Sequence, residues 1–132
     1  MILVDSNVIL DVWDPDPVWH AWSSGQLHSQ SLLHELSINP LIYSEISVSF
    51  ATISSLDKKL EELEMSVLNI PRRAAFLAGK AYLDYRRRGG VKSNVLVDFF
   101  IGAHAAVLGC SLLTRDTRCY ATYFPTVTLI AP

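Results

Sequence analysis

Four carboxylates stand where short strands and helices would aim them at one place: Asp5, Glu45, Asp98 and Asp116. Asp5 ends the apolar run Met1 to Val4, and Asp116 closes Thr114-Arg115-Asp116 after the apolar Ser111 to Leu113. Glu45 lies one turn beyond Leu41, in a segment where Leu41, Ile42, Ile46 and Phe50 recur at helical spacing. Asp98 falls early in the apolar stretch Asn94 to Leu108. In an open parallel sheet, ligands sit outside the carboxyl ends of the strands, so the two strand-ending acids share a rim at which Glu45 and Asp98 can also point. Four carboxylates in a partly desolvated cleft repel one another and resist ionisation unless a cation compensates. The donors are all oxygens, with no His or Cys at ligand spacing, which favours Mg2+ or Mn2+ over Zn2+. Ser6 or Asn7, next to Asp5, could hold a metal-bound water.

Each acid alone has a plainer role. An Asp after a strand often caps the following helix, and an acid near a helix N-terminus is favoured by the macrodipole, which would suffice for Asp98. Glu45 could be a solvated helix residue, and Asp116 could make a turn with Thr114. The set of four, in this order and at these positions, favours a shared site. His20, His28, His34 and His104 have no carboxylate or nucleophile at convincing spacing, and His104 lies six residues from Asp98, off its helical face. No histidine catalyst is expected. Cys110 and Cys119 are expected to be small core residues of a reduced, cytoplasmic protein.

The elements that must position these groups follow from apolar runs and their punctuation. Strands are expected at Met1 to Val4, Leu36 to Asn39, Ser66 to Ile70, Ser111 to Leu113 and Val127 to Ile130. Between them, Pro17 suits the start of a helix through Trp19 and Trp22 to about Leu33, and Pro40 opens the helix of Glu45. Ser55 to Glu64 is amphipathic. Pro71 opens a helix that Gly89-Gly90 stops, and Gly109 closes the helix of Asp98. Short apolar strands alternating with helices specify an α/β fold with a mainly parallel sheet of four to five strands.

At 132 residues, 50% hydrophobic and 18% charged, the chain suits one domain spanning 1–132, too apolar for a disordered tail. The stretch Val95 to Leu113 approaches membrane-spanning length but contains Asp98, His104, Gly102 and Gly109, so a buried helix and strand are expected instead. The net charge of −2 hides an asymmetry: residues 1–57 hold seven acids and no Lys or Arg, and all eleven basic residues fall between Lys58 and Arg118.

Three segments carry a family resemblance. The opening ILVDSNVILDV, the stretch INPLIYSEI, and VDFFIGAHAAVLGCSLLTRDTRCYATYFPTVTLI resemble the PIN domain and together span nearly the whole chain. In the last segment an Asp heads an Ile/Ala-rich helix, followed by a Gly, a short strand, Thr-x-Asp and a late Phe-Pro. The resemblance implies a three-layer α/β/α fold and acidic metal ligands at Asp5, Glu45, Asp98 and Asp116. Ser6 falls where the family has Thr or Ser, and Thr114 where it commonly has a hydroxyl, while Gly102 replaces a frequent Ala. It further implies a divalent-metal-dependent endoribonuclease that hydrolyses RNA phosphodiester bonds. The small size resembles VapC-type toxins of toxin–antitoxin pairs, which implies an antitoxin partner and a homodimer.

For RNA, the stretch Arg72 to Lys92 holds seven basic residues against Asp84 alone, a local charge of +6. Arg72, Arg73, Arg86, Arg87, Arg88 and Lys92 are the candidates there, with Arg115 and Arg118 flanking Asp116; a solvated helix face is the alternative. Trp13, Trp19 and Trp22 suit packing or an antitoxin contact better than base stacking. A HAD-type phosphotransferase also begins with a strand ending in Asp, but it wants Asp at residue 7, where Asn7 stands, and a downstream Lys, and no Lys follows Lys92. A phosphate-accepting receiver domain lacks the same Lys. The non-enzymatic alternative is a PIN-like scaffold that only binds RNA or protein.

Overall fold

Strand β1 (Ile2–Val4) is buried at every residue, which is what a strand covered on both faces requires; alternation is for sheets with one wet face. The computed structural model describes residues 1–132. Around β1 it arranges β2 (Leu36–Ile38), β3 (Met65–Val67), β4 (Ser111–Leu113) and β5 (Leu129–Ile130) in the order β3-β2-β1-β4-β5, every pair parallel. The chain builds outward from β1 through β2 to β3, then crosses back to add β4 and β5 on the other side. The reversal makes the crevice between the carboxyl ends of β1 and β4 a topological switch point. The register sets Val4 opposite Leu113, and the Asp5 N–H donates to the Leu113 carbonyl at 2.9 Å, so Asp5 and Thr114 leave the sheet side by side.

Helices cover both faces to make the three-layer α/β/α fold. They are α1 (Ser6–Trp13), α2 (His20–Ser31), α3 (Pro40–Ile46), α4 (Ile53–Glu62), α5 (Arg72–Arg87), α6 (Leu96–Leu108) and α7 (Arg118–Tyr123). Asp5 caps α1 and Asn39 caps α3 by accepting from the Ile42 N–H at 3.0 Å, so both helices start directly from strand ends. Gly109, at φ 66°, ends α6 in the left-handed conformation that side chains disfavour. Buried Phe99, Ile101, Ala103 and Ala105 run along α6, and Ala74 and Ala78 of α5 meet it with small side chains that allow close approach. A Cβ at Gly102 would lie 2.4 Å from the Phe124 ring, so packing explains the glycine. No helix is long and apolar enough to cross a membrane.

Several boundaries differ from expectation. Asp16 Oδ1 accepts from the N–H groups of Val18 and Trp19, so Pro17 belongs to a capped turn and α2 begins only at His20. Helix α3 gives way after Ile46 to a 3-10 turn, Ser47–Ser49, which turns Phe50 onto Trp13 with ring centroids 5.4 Å apart. Strand β3 starts at Met65 and its pairing ends at Val67, opposite Ile38, the last residue of β2; the Leu68 N–H makes the final bond to the Ile38 carbonyl at 2.8 Å. Strand β5 is two residues, Val127 being spent on the core. Helix α7 was not expected.

Candidate active site

Asp5 leaves β1 with 4% of its surface exposed. Its Oδ1 accepts from the Ser6 N–H at 2.8 Å; its Oδ2 accepts from Thr114 Oγ1 and the Tyr120 hydroxyl, both at 2.9 Å, with Asn7 Nδ2 at 3.4 Å. Burial pushes the Asp5 carboxyl above its ordinary range, against the pull of these donors. Burial and the nearby Asp5 push the buried Tyr120 hydroxyl well up too, so it stays a donor.

Thr114 and Asn7 tie the next strand end to the first. Thr114 Oγ1 gives its proton to Asp5 and accepts from the Asp116 N–H at 3.1 Å and Asn7 Nδ2 at 3.3 Å. Asn7 Oδ1 accepts from the Arg115 N–H at 3.3 Å. Ser6 Oγ donates to Glu45 Oε1 at 3.0 Å, joining α1 to the last turn of α3, and burial raises the Glu45 pKa. Thus Ser6, Asn7 and Thr114 all bridge acids or the loops that carry them.

Asp98 sits in the first turn of α6, where helix geometry ordinarily favours a negative charge. Its pKa is nevertheless pushed up to about 7, first by burial and then by the charges of Asp5, Glu45 and Asp116. The four acids therefore share one electrostatic neighbourhood, with Asp98 under pressure from the other three. Asp116 is half-exposed, facing Arg118 Nε at 3.5 Å, and that arginine side chain is 87% exposed. As the side chains stand, no three acidic, His or Cys groups converge closely enough to hold one ion. The donor chemistry still fits a hard divalent cation: oxygens only, crowded like charges, and nothing soft.

A cavity of about 480 Å³ opens beside Asp98 and Asp116, with Lys92, Asn94 and Arg118 on its wall and Tyr85 and Tyr123 forming its aromatic side. Of the basic residues singled out from sequence, Lys92 and Arg118 line it. Arg88 stands over the Tyr123 ring at 5.5 Å and pairs with Asp84 at 3.1 Å. Arg86 and Arg87 are exposed at the same end of α5. Arg72 and Arg73 are exposed at its other end, about 20 Å away at 1.5 Å per residue. Arg115 lies elsewhere, its guanidinium engaged by Asp11 at 2.9 and 3.0 Å.

His104 is buried, its Nδ1 3.2 Å from Asn39 Nδ2, with burial holding its pKa down; it supports the α3 cap. Sequence reasoning missed Tyr120, Asp11, Asn94, Tyr85 and Tyr123. Asp11 had a signal: it is an acid amid Val8, Ile9 and Val12 on an apolar helix, and a buried acid needs a partner. Tyr120 had none, because α7 shows no periodicity across its six residues.

The sequence matches the PIN domain family model over residues 2–125. No curated protein matches it. Among solved structures, VapBC-1 from nontypeable Haemophilus influenzae superposes with a TM-score of 0.74 at 18% identity, covering 99% of this chain and 98% of that one. VapBC2 from Rickettsia felis, bound to a DNA fragment from their promoter, gives 0.72 at 17% identity over 99% and 98%. FitAcB from Neisseria gonorrhoeae gives 0.69 at 21% identity over 98% and 96%. At these identities the likeness establishes the fold.

Proposed function

The chain belongs to the PIN-domain family, and from that premise we propose that it is a divalent-metal-dependent endoribonuclease, the toxin of a toxin–antitoxin pair. The observation that carries the reading is Asp98, a helix-start acid held up to about 7 first by burial and then by the charges of Asp5, Glu45 and Asp116 gathered around it. Such crowding destabilises a fold unless the charges serve a cation.

Asp5, Glu45, Asp98 and Asp116 are the residues that would hold Mg2+ or Mn2+. The bound ion supplies an acidified water and neutralises phosphate charge. The chain's own residues do the rest. Thr114, Tyr120 and the Ser6 N–H fix the rotamer of Asp5, and the Ser6 hydroxyl holds Glu45. Lys92 and Arg118, on the cavity wall, grip the phosphates beside the scissile bond, and Arg86, Arg87 and Arg88 extend that grip along the strand. Arg72 and Arg73 reach only a longer RNA.

The antitoxin rests on likeness to the VapBC and FitAB structures and to the toxin–antitoxin complex from Klebsiella pneumoniae, and the homodimer on the PIN-domain resemblance. The protein would act in the cytoplasm, where its two free cysteines stay reduced.

Cleavage of a single-stranded RNA in Mg2+ or Mn2+, abolished by EDTA and leaving 5′-phosphate and 3′-hydroxyl ends, is the expected result. Undiminished cleavage in EDTA, or cyclic-phosphate ends, defeats the metal mechanism. RNA binding without cleavage in either metal identifies a scaffold.

A further inference from the structure

We propose that Arg115 is a positioning residue: its ion pair with Asp11 clamps the turn carrying Thr114 and Asp116 onto α1 and so sets where Asp116 stands against Asp5 and Asp98. The inference rests on reading the four acids as a metal centre, and it moves Arg115 from the RNA path into the scaffold of that centre.

Asp11 is 3% exposed on the side of α1 that meets α2. A carboxylate so placed is tolerated only when paired and hydrogen-bonded. Arg115 meets it in a bidentate fork, Nε to Oδ2 at 2.9 Å and Nη2 to Oδ1 at 3.0 Å, and Ser23 Oγ of α2 adds a bond to Oδ2 at 2.7 Å. The Trp19 ring lies 5.7 Å from the guanidinium carbon. One edge of the fork, Nε and Nη2, is thus spent on Asp11, and the side chain is only 32% exposed.

The turn is pinned to α1 at three levels. Thr114 bonds Asp5 at the helix cap, the Arg115 N–H bonds Asn7 in the first turn, and the Arg115 side chain bonds Asp11 one turn further on. Asp116 follows directly, its own N–H anchored on Thr114 Oγ1. Its carboxylate meets only the Arg118 main-chain N–H, at 3.3 Å, and the largely exposed Arg118 side chain, so its position comes from the turn. No other hydrogen bond or ion pair ties that turn to the far end of α1.

The test uses Mn2+ titrated into the metal-free full chain, beside binding of a single-stranded oligoribonucleotide in EDTA across a salt series. Arg115→Lys keeps the charge but not the fork, and Asp11→Asn removes the charge from the other side. Either change should weaken Mn2+ about tenfold, the lower end of what loss of a ligand-orienting partner costs, and leave the RNA salt slope unchanged. In an Asp116→Asn background, Arg115→Lys should cost no further Mn2+ affinity, because its effect runs through Asp116. Unchanged Mn2+ affinity in folded Arg115→Lys overturns the proposal. So does an RNA slope reduced by about 0.7, the mark of one lost phosphate contact on a single strand. If the wild type itself binds no Mn2+, the metal centre falls and the proposal with it. If Asp11→Asn does not fold, Arg115→Lys alone distinguishes these outcomes.

Discussion

Asp98 carries a charge that the fold accommodates poorly, and its pH dependence can be worked out. An unfolded aspartate ionises near 3.8, whereas in the folded protein burial and three neighbouring acids hold Asp98 up to about 7. The folded state thus keeps the proton more tightly. The stability that this proton contributes is fully present below pH 3.8 and is lost as pH rises through 7. Asp98→Asn keeps the shape without the charge, so metal-free melts should show no gain at pH 3.5 and a gain of roughly 1 to 2 kcal/mol at pH 8, discounted for the solvent that still reaches the group. Mg2+ should raise the wild-type melting temperature and barely move the mutant's, while RNA cleavage collapses. A mutant that melts lower at pH 8 yet still cleaves would mean that Asp98 only stabilises its helix.

At the scale of elements, two helical glycines make opposite forecasts. Gly79 faces open space in α5, so Gly79→Ala should stabilise by about 0.5 to 1 kcal/mol through helix propensity alone. Gly102 gains the same propensity, but its new methyl would meet the buried Phe124 ring, which has nowhere to swing. Gly102→Ala should therefore destabilise on balance, overpacking costing about 1 to 3 kcal/mol against that smaller gain. Thermal melts of the two variants check both signs, and equal shifts would contradict the packing of α6 on Phe124. The same helices show how far sequence reasoning reaches. Val4-Asp5 and Leu113-Thr114 were legible because an unbroken apolar run ending in capping residues has few other meanings. Strand β3 slipped because its length is set by β2, a partner distant in sequence. Helix α7 and the Asp11 to Arg115 pair were out of reach for the same reason: six residues carry no period, and a bond across 104 positions leaves no local trace.

Across the whole molecule the charge asymmetry acquires a location. The acid-only first 57 residues supply Asp5 and Glu45, and the later, basic part supplies the rim, with Lys92 and Arg118 on the cavity and Arg86, Arg87 and Arg88 at the adjoining end of α5. An anionic polymer would be drawn to that rim and away from the acids, leaving only the phosphate at the cation to approach them. Arg72 and Arg73, about 20 Å back along α5, should be felt only by an RNA long enough to reach them. Replacing Arg86, Arg87 and Arg88 by Ser should weaken binding of even a short oligoribonucleotide in EDTA and flatten its salt dependence by up to about 2 units, near 0.7 for each lost contact. Arg88 sets the lower bound on that change, since its pairing with Asp84 and Tyr123 already occupies part of its charge. The Arg72→Ser, Arg73→Ser pair should leave the short RNA unaffected and reduce the slope only for a longer one. If the triple variant binds the short RNA with an unaltered slope, α5 lies outside the RNA path. If the distal pair alone reduces that slope, the RNA runs across the opposite end of the helix, away from Asp98 and Asp116, and the cavity is not its entrance.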